Sequence, residues 1–284
     1  MFSKKHQYKQ FSNIKLRKSL YFMKRLRMLE ETISREYHPE DKMRCPIHLC
    51  IGQETVSAAL NLLLKKKDYL FSHHRSHGYY LAKNCELKKL LAELYGKIDG
   101  SNKGLAGSQD VSNAEKNFYA GAILSGSIGI AVGAAYGIAQ KKLKNIKSIC
   151  CFGEGALDQG IFWESINYAA LKKLPIVFIC ENNKYATFSD IKKRVSNLNL
   201  TNKVKNFGIK TFKVFGNDFL KVYNTLNYAF KLNGPTFIEA NTYRISSHVG
   251  SEDDSHFYRD ISELKKWQNK CPIKNLEKYV KLSN

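Results

Sequence analysis

Two short segments carry residue types that can do chemistry together. They are Gly153-Glu154-Gly155-Ala156 and the pair Asn182-Asn183, which stands 29 and 30 positions after Gly153 and runs into Lys184-Tyr185. Glycines let backbone N–H groups approach an anion closely, and a helix that starts just beyond them favours negative charge at its N-terminus. A carboxylate in the middle of such a site, here Glu154, makes sense when a cation lies between it and the anion. Magnesium fits that part, taking hard oxygen ligands from the protein on one side and phosphate oxygens on the other. The amide oxygen of Asn183 and the backbone carbonyl of Tyr185 supply further oxygens. The pair of segments therefore reads as a metal–diphosphate clamp. Gly-Glu-Gly alone is a common turn, and the reading rests on its combination with Asn-Asn.

Strands are needed to present these segments. Residues 148–152 and 175–180 are short apolar runs, each leading into one of them, and read as buried strands. Further strands are expected at 69–72, 211–215 and 236–240, with helices at 55–64, 86–95, 128–143, 158–172 and 219–232. Strand and helix alternate with short connections, which predicts an α/β fold: an open, mainly parallel sheet with helices on both faces. Ligands of such sheets bind at the C-terminal strand ends, where both segments lie. Leu16, Leu20, Met23, Leu26, Leu29 and Ile33 recur at helical spacing. They predict an amphipathic helical arm within residues 1–40, ahead of a single α/β domain over 41–284. Residues 118–140 carry no charge, but Gly129, Gly133 and Gly137 sit four apart in them. That spacing bares one helix face and suits a core or subunit interface better than a membrane span.

The stretch from Cys151 to Tyr185 resembles the thiamine diphosphate motif of one family. This is the alpha subunits of the thiamine diphosphate-dependent 2-oxo acid dehydrogenases, the decarboxylating first component. The resemblance extends from about Leu20 to the end and implies a thiamine diphosphate-binding fold. Glu154 stands where most of the family has aspartate, and the branched-chain members share the glutamate. By this resemblance Glu154, Asn183 and the Tyr185 carbonyl hold magnesium, while Gly153, Gly155 and Ala156 form the diphosphate turn. The segment 44–54, ending in Gly52-Gln53-Glu54, looks like the family's Gly-Gln-Glu segment. His74-Arg75-Ser76-His77-Gly78 looks like its Tyr-Arg-x-His-Gly, in which the arginine grips diphosphate, with His74 replacing the usual aromatic. Ala122-Ile123-Leu124 matches the segment whose backbone and bulky side chain seat the aminopyrimidine. Tyr243-Arg244 through His248, Glu252-Asp253-Asp254-Ser255 and Tyr258-Arg259 look like its flexible active-site loop, closing over diphosphate at His248. His48, His77 and His248 are the candidates to stabilise charge or move protons around a 2-oxo acid. Arginine is scarce, yet Arg44, Arg75, Arg244 and Arg259 all fall in these segments. Arg75 suits diphosphate as a planar bidentate donor, whereas Arg244 and Arg259 are expected to pair with Asp253 and Asp254.

The resemblance implies oxidative decarboxylation of a 2-oxo acid with acyl transfer to a lipoyl group on a partner acyltransferase. It also implies a beta subunit that carries the cofactor-activating glutamate, in an assembly of two alpha and two beta chains. Alternatives are transfer to a small-molecule acceptor and a cofactor-binding, non-catalytic subunit. The chain stops at Asn284, where many relatives continue, which leaves room for such a specialised role.

Composition bounds the remaining classes. The 284 residues are 43% hydrophobic and 25% charged, which excludes disorder. Mean hydropathy is −0.39, against a polytopic membrane protein. Seven cysteines at irregular spacing, without a CxxC pair, give no disulfide framework or zinc signature and point to a reducing, cytoplasmic setting. The net charge of +21 raises nucleic acid as a partner. However, the charge is mostly lysine spread along the chain, without a recognition motif. Neither a nucleic-acid nor a membrane partner is expected.

Overall fold

The computed structural model describes residues 12–38, 40–251 and 257–282. In chain order the helices and strands are α1 (Asn13–Glu36), α2 (Glu54–Leu63), β1 (Tyr69–His73), α3 (His77–Ala82), α4 (Leu87–Leu94), β2 (Phe118–Gly121), α5 (Gly126–Gln140) and β3 (Ser148–Gly153). They continue with α6 (Gly160–Leu171), β4 (Ile176–Asn182), β5 (Tyr185–Ala186), β6 (Ser189–Asp190), α7 (Leu200–Lys205), β7 (Lys210–Phe215), α8 (Phe219–Lys231), β8 (Thr236–Asn241), α9 (Ile261–Gln268) and α10 (Pro272–Leu282).

Six strands form one parallel sheet in the order β2-β1-β3-β4-β8-β7. The central strands are buried almost from end to end because helices cover both faces. In β3, Ile149 and Cys151 enter the core under α1, α2 and α8, while Cys150 and Phe152 enter the core under α5 and α6. β4 divides the same way, with Val177 and Ile179 against Ile176, Phe178 and Cys180. This two-residue alternation, buried on either side, is what an α/β sheet requires.

The structure differs from the sequence reading at the charge-free stretch. Residues 118–121 form the edge strand β2, and α5 begins at Gly126. Uniform apolarity hides the break, which falls where Ser125 adopts a left-handed conformation (φ 65°). The hairpin β5–β6 and helices α3, α7, α9 and α10 are further elements that periodicity did not reveal. Helix α1 is the expected amphipathic N-terminal helix, and its Leu16, Met23, Leu26 and Ile33 are buried in the first core. No helix among the described residues is long and apolar enough to cross a membrane.

Candidate functional site

The chain leaves β1 for β2 on one side of the sheet, while β3 leads to β4 on the other. The crevice between the C-terminal ends of β1 and β3 is therefore a topological switch point. His74 and Arg75 follow β1, and Glu154 follows β3. Gly153 is paired with Glu181, so Glu154 and the Asn182-Asn183 pair leave adjacent strands at nearly the same level. The two segments singled out in the sequence thus come side by side.

Glu154 is 2% exposed, and burial pushes its carboxyl up to about 7. Arg194 opposes that shift: its Nη2 lies 2.8 Å from Glu154 Oε1, and its Nη1 pairs with Asp158. A cation thus stands against Glu154, contributed by the turn after β6. Gly155 permits the arrangement, since a Cβ there would lie 2.8 Å from that of Ala186 and would push the β5–β6 hairpin away. Asn182 turns to β8, donating to Glu239 at 2.9 Å. Asn183 donates to Gln53 at 3.3 Å, and its side-chain oxygen accepts from Tyr185 N at 3.0 Å. The Tyr185 ring is anchored elsewhere, its hydroxyl 2.8 Å from Glu263. Any contribution of Tyr185 to a metal therefore comes from its backbone carbonyl.

Arg75 is 3% exposed and donates to Leu49 O (2.5 Å) and His248 O (3.2 Å), tying β1 to the loops on either side. Burial lowers its pKa to about 10, so it stays charged at neutral pH. The rings of His48 and His248 lie 5.0 Å apart. Burial, then Arg75, lowers His48 to about 2 and His248 to about 3, so both are neutral at pH 7. Gly52 brings these loops together. Its φ is +95°, and a Cβ there would meet Tyr243 O at 2.6 Å.

His77 sits differently from the other two candidate histidines. It is fully buried, with Nδ1 2.7 Å from Glu30 and Nε2 2.9 Å from Ser108. Both of its ring nitrogens are thus engaged within the protein. Glu30 also accepts from Cys50 N at 2.5 Å. Arg27, one turn earlier on α1, reaches Glu54 at 2.6 Å, and Glu54 in turn accepts from Gly52 N at 3.1 Å. Helix α1 therefore holds the loop bearing His48 by two buried carboxylates.

Ala122 and Leu124 follow β2. Leu124 is 42% exposed, Ala122 N donates to Asp110 (2.7 Å), and Ser125 Oγ donates to Ala156 O (2.9 Å). The last bond ties this segment to the Gly-Glu-Gly turn. A largely apolar cavity of about 700 Å³ opens there, lined by Phe71, Asp110, Tyr119, Ala122, Ile123 and Ile130 among others. Its lining includes Ala122 but neither Glu154 nor Arg75, so it does not form the clamp.

Arg259 holds the loop after β8 by its backbone, donating to the carbonyls of Arg244, Ile245 and Ser246. Arg244 donates to Thr187 O and Tyr258 Oη, but its Nε and Nη1 are buried without partners. These are donors that suit an anion. The expected partners Asp253 and Asp254, with Glu252, Ser255 and His256, lie outside the described residues. Arg44 is exposed and lines a separate surface cavity.

Sequence reasoning missed Arg194, Arg27, Glu30 and Ser108, and named Gln53 only as part of its motif. Glu30 had a legible signal: it is a carboxylate on the apolar face of α1, between Leu26 and Ile33. Arg194 had none beyond the scarcity of arginine.

Comparisons with known proteins follow the same lines. A profile described as "Dehydrogenase E1 component" matches residues 21–284. The chain is 35% identical over 265 residues to the pyruvate dehydrogenase E1 component subunit alpha of Porphyra purpurea, covering 89% of this chain and 76% of the relative. It is 33% identical over 244 residues to the subunit of that name from Rickettsia bellii (84% and 73% covered). It is 32% identical over 240 residues to the alpha subunit of acetoin:2,6-dichlorophenolindophenol oxidoreductase of Bacillus subtilis (82% and 72% covered).

Proposed function

The chain belongs to the dehydrogenase E1 component family, and from that premise we propose that its crevice holds magnesium and thiamine diphosphate for oxidative decarboxylation of a 2-oxo acid. Membership makes it an alpha subunit of the 2-oxo acid dehydrogenase type, an oxidoreductase that works with a partner subunit. The observation that carries the cofactor reading is Glu154: a buried carboxylate at the switch point, already held against a cationic group. Magnesium would take the place of the Arg194 guanidinium on Glu154, with Asn183 and the Tyr185 carbonyl as further ligands. Gly153, Gly155 and Ala156 would line the diphosphate, and Arg75 with Arg244 would oppose its charge. Ala122 and Leu124 would seat the aminopyrimidine.

Thiamine diphosphate, when bound, supplies the nucleophilic carbon and the electron sink for loss of carbon dioxide. The protein's part is orientation and charge. Arg75, which donates to Leu49 O and His248 O, would oppose the charge of the diphosphate beside those loops. His48 and His248, neutral at pH 7, can each donate or accept a hydrogen bond beside the reacting carboxylate. His77 bonds Glu30 and Ser108 Oγ, which accept from Cys50 N and His48 N, and so steadies the loop that carries His48.

The exposed apolar residues Ile123, Ile130, Tyr136, Ile161 and Leu171 lie on and around α5 and α6. Gly133 and Gly137 on α5 have nothing within 4 Å of an added Cβ. This face suits the beta subunit, in an assembly of two alpha and two beta chains, with a lipoyl acyltransferase receiving the acyl group. Seven free cysteines support a cytoplasmic setting.

The test is co-expression with the beta subunit and a screen of 2-oxo acids for carbon dioxide release with an artificial electron acceptor. Release should require magnesium and thiamine diphosphate and fall at least about 100-fold in Arg75→Ala, as for loss of a charge-stabilising donor. A folded assembly that releases no carbon dioxide from any 2-oxo acid would contradict the reading.

A further inference from the structure

Lys184 stands between the Asn-Asn pair and Tyr185, and the backbone there is strained. It adopts a left-handed conformation (φ 74°), which a residue with a Cβ disfavours. Such strain persists only where neighbouring groups hold it, and it gathers at functional sites. Here one carboxylate from a later helix holds both residues. Glu263, on α9, accepts from Lys184 Nζ at 2.8 Å through one oxygen and from Tyr185 Oη at 2.8 Å through the other.

The same carboxylate reaches the loop after β8. Tyr243 Oη lies 3.4 Å from the oxygen that holds Tyr185. Four residues further along α9, on the same face, Trp267 stacks on the Tyr243 ring, with centroids 5.3 Å apart and planes 9° from parallel. Lys184 Nζ lies over the Trp267 ring, 5.6 Å from its centroid. The Tyr185 and Tyr243 rings meet edge to face at 6.1 Å. Tyr243 is fully buried and directly precedes Arg244, whose Nε and Nη1 are the unpartnered donors described above. Helix α9 thus grips the turn before Tyr185 and the backbone before Arg244 with two side chains.

We infer that Glu263 is a positioning residue for the metal–diphosphate site, its carboxylate holding the Tyr185 carbonyl and Arg244 in one fixed relation. The inference rests on the reading of Tyr185 as a magnesium ligand and goes beyond it, since Glu263 bonds the Tyr185 hydroxyl and not the carbonyl. Magnesium demands near-ideal octahedral geometry and tolerates little displacement of a ligand. A backbone carbonyl has no side-chain rotamers to adjust, so its aim is set by the turn that carries it. The bonds from Lys184 and Tyr185 to an ionised carboxylate are of the stronger, charge-assisted kind. Glu263 therefore orients a ligand from behind, as the groups around a metal's own ligands do.

The test is manganese(II) binding to the assembled alpha and beta subunits with saturating thiamine diphosphate, followed by electron paramagnetic resonance. Free aqueous manganese gives a sharp six-line signal that is lost on binding, and manganese shares the preference of magnesium for octahedral oxygen ligands. Glu263→Ala should weaken manganese at least about tenfold, the range for a group that orients a ligand. Glu263→Gln still accepts from the Tyr185 hydroxyl and should recover about threefold or more of that loss, the worth of one hydrogen bond. Tyr185→Phe keeps the ring and the carbonyl and serves where Glu263→Ala unfolds. It should weaken manganese about threefold or more. Lys266→Gln, at an exposed position of α9, should bind like wild type. Wild-type affinity in both Glu263→Ala and Tyr185→Phe would overturn the inference and leave the magnesium reading standing. Wild-type subunits that take up no manganese with thiamine diphosphate would overturn both.

Discussion

Glu154 and His48 show the cost of building a site from buried ionisable groups. Glu154 has its pKa raised from 4.5 to about 7, so burial penalises its ionised form increasingly as pH rises through that window. Arg194 offsets the penalty in the ligand-free protein. Arg194→Met should therefore lower ligand-free stability by about 1–3 kcal/mol, more at pH 8 than at pH 6. Urea unfolding at the two pH values measures this, and an equal loss at both would show that Arg194 does not act through the Glu154 charge. His48 has the opposite sign. Its folded pKa of about 2 lies below the ordinary 6.5, so its contribution is complete above 6.5 and is lost as pH falls. At pH 5 the neutral, buried ring costs about 2 kcal/mol, at 1.36 kcal/mol per unit. His48→Asn should lose about that much less stability than wild type between pH 7 and pH 5. Parallel losses would contradict the burial argument.

Helix α1 and the turn at Gly52 set the loop geometry among the elements. Two carboxylates buried at the α1 contact, Glu30 and Glu54, fix the segment from Cys50 to Gly52, and Arg27 neutralises Glu54. Arg27→Met leaves Glu54 buried and unpaired and should cost about 3 kcal/mol in chemical unfolding. A loss below about 1 kcal/mol would mean that the pair is solvated. Gly52→Ala meets both a positive φ and the Tyr243 carbonyl. It should cost about 3 kcal/mol or more and weaken diphosphate binding, because His48 and His248 separate when the loops do. At this scale the strands around the site were legible: β3 and β4 are built on short apolar runs, Ile149–Phe152 and Ile176–Cys180, and the glycine turn and Asn-Asn pair announce their ends. β2 was not legible because apolar residues run on through it into α5. The β5–β6 hairpin was not legible because two-residue strands leave no periodicity. Arg194 was invisible for a related reason: its place is fixed by that hairpin and by what Gly155 lacks.

The whole molecule is an incomplete surface. Ile123, Ile130 and Leu171 are 78%, 64% and 69% exposed, and the bare glycines of α5 lie among them. Patches of this kind mark interfaces. The chain expressed alone should therefore self-associate or aggregate, whereas co-expression with the beta subunit should give a soluble complex of equal chain numbers by light scattering. Gly133→Leu should prevent that complex without lowering the stability of the chain, since nothing packs on Gly133 within it. Complex formation by Gly133→Leu at wild-type affinity would place the interface elsewhere. The claim on which the rest depends is that Glu154 is a metal ligand at a diphosphate site. Calorimetric titration of thiamine diphosphate into the assembled subunits, with and without magnesium, tests it most directly. The account predicts binding that requires magnesium and is abolished by Glu154→Ala in an assembly that remains folded. Binding that ignores magnesium, or that survives Glu154→Ala unchanged, would contradict it.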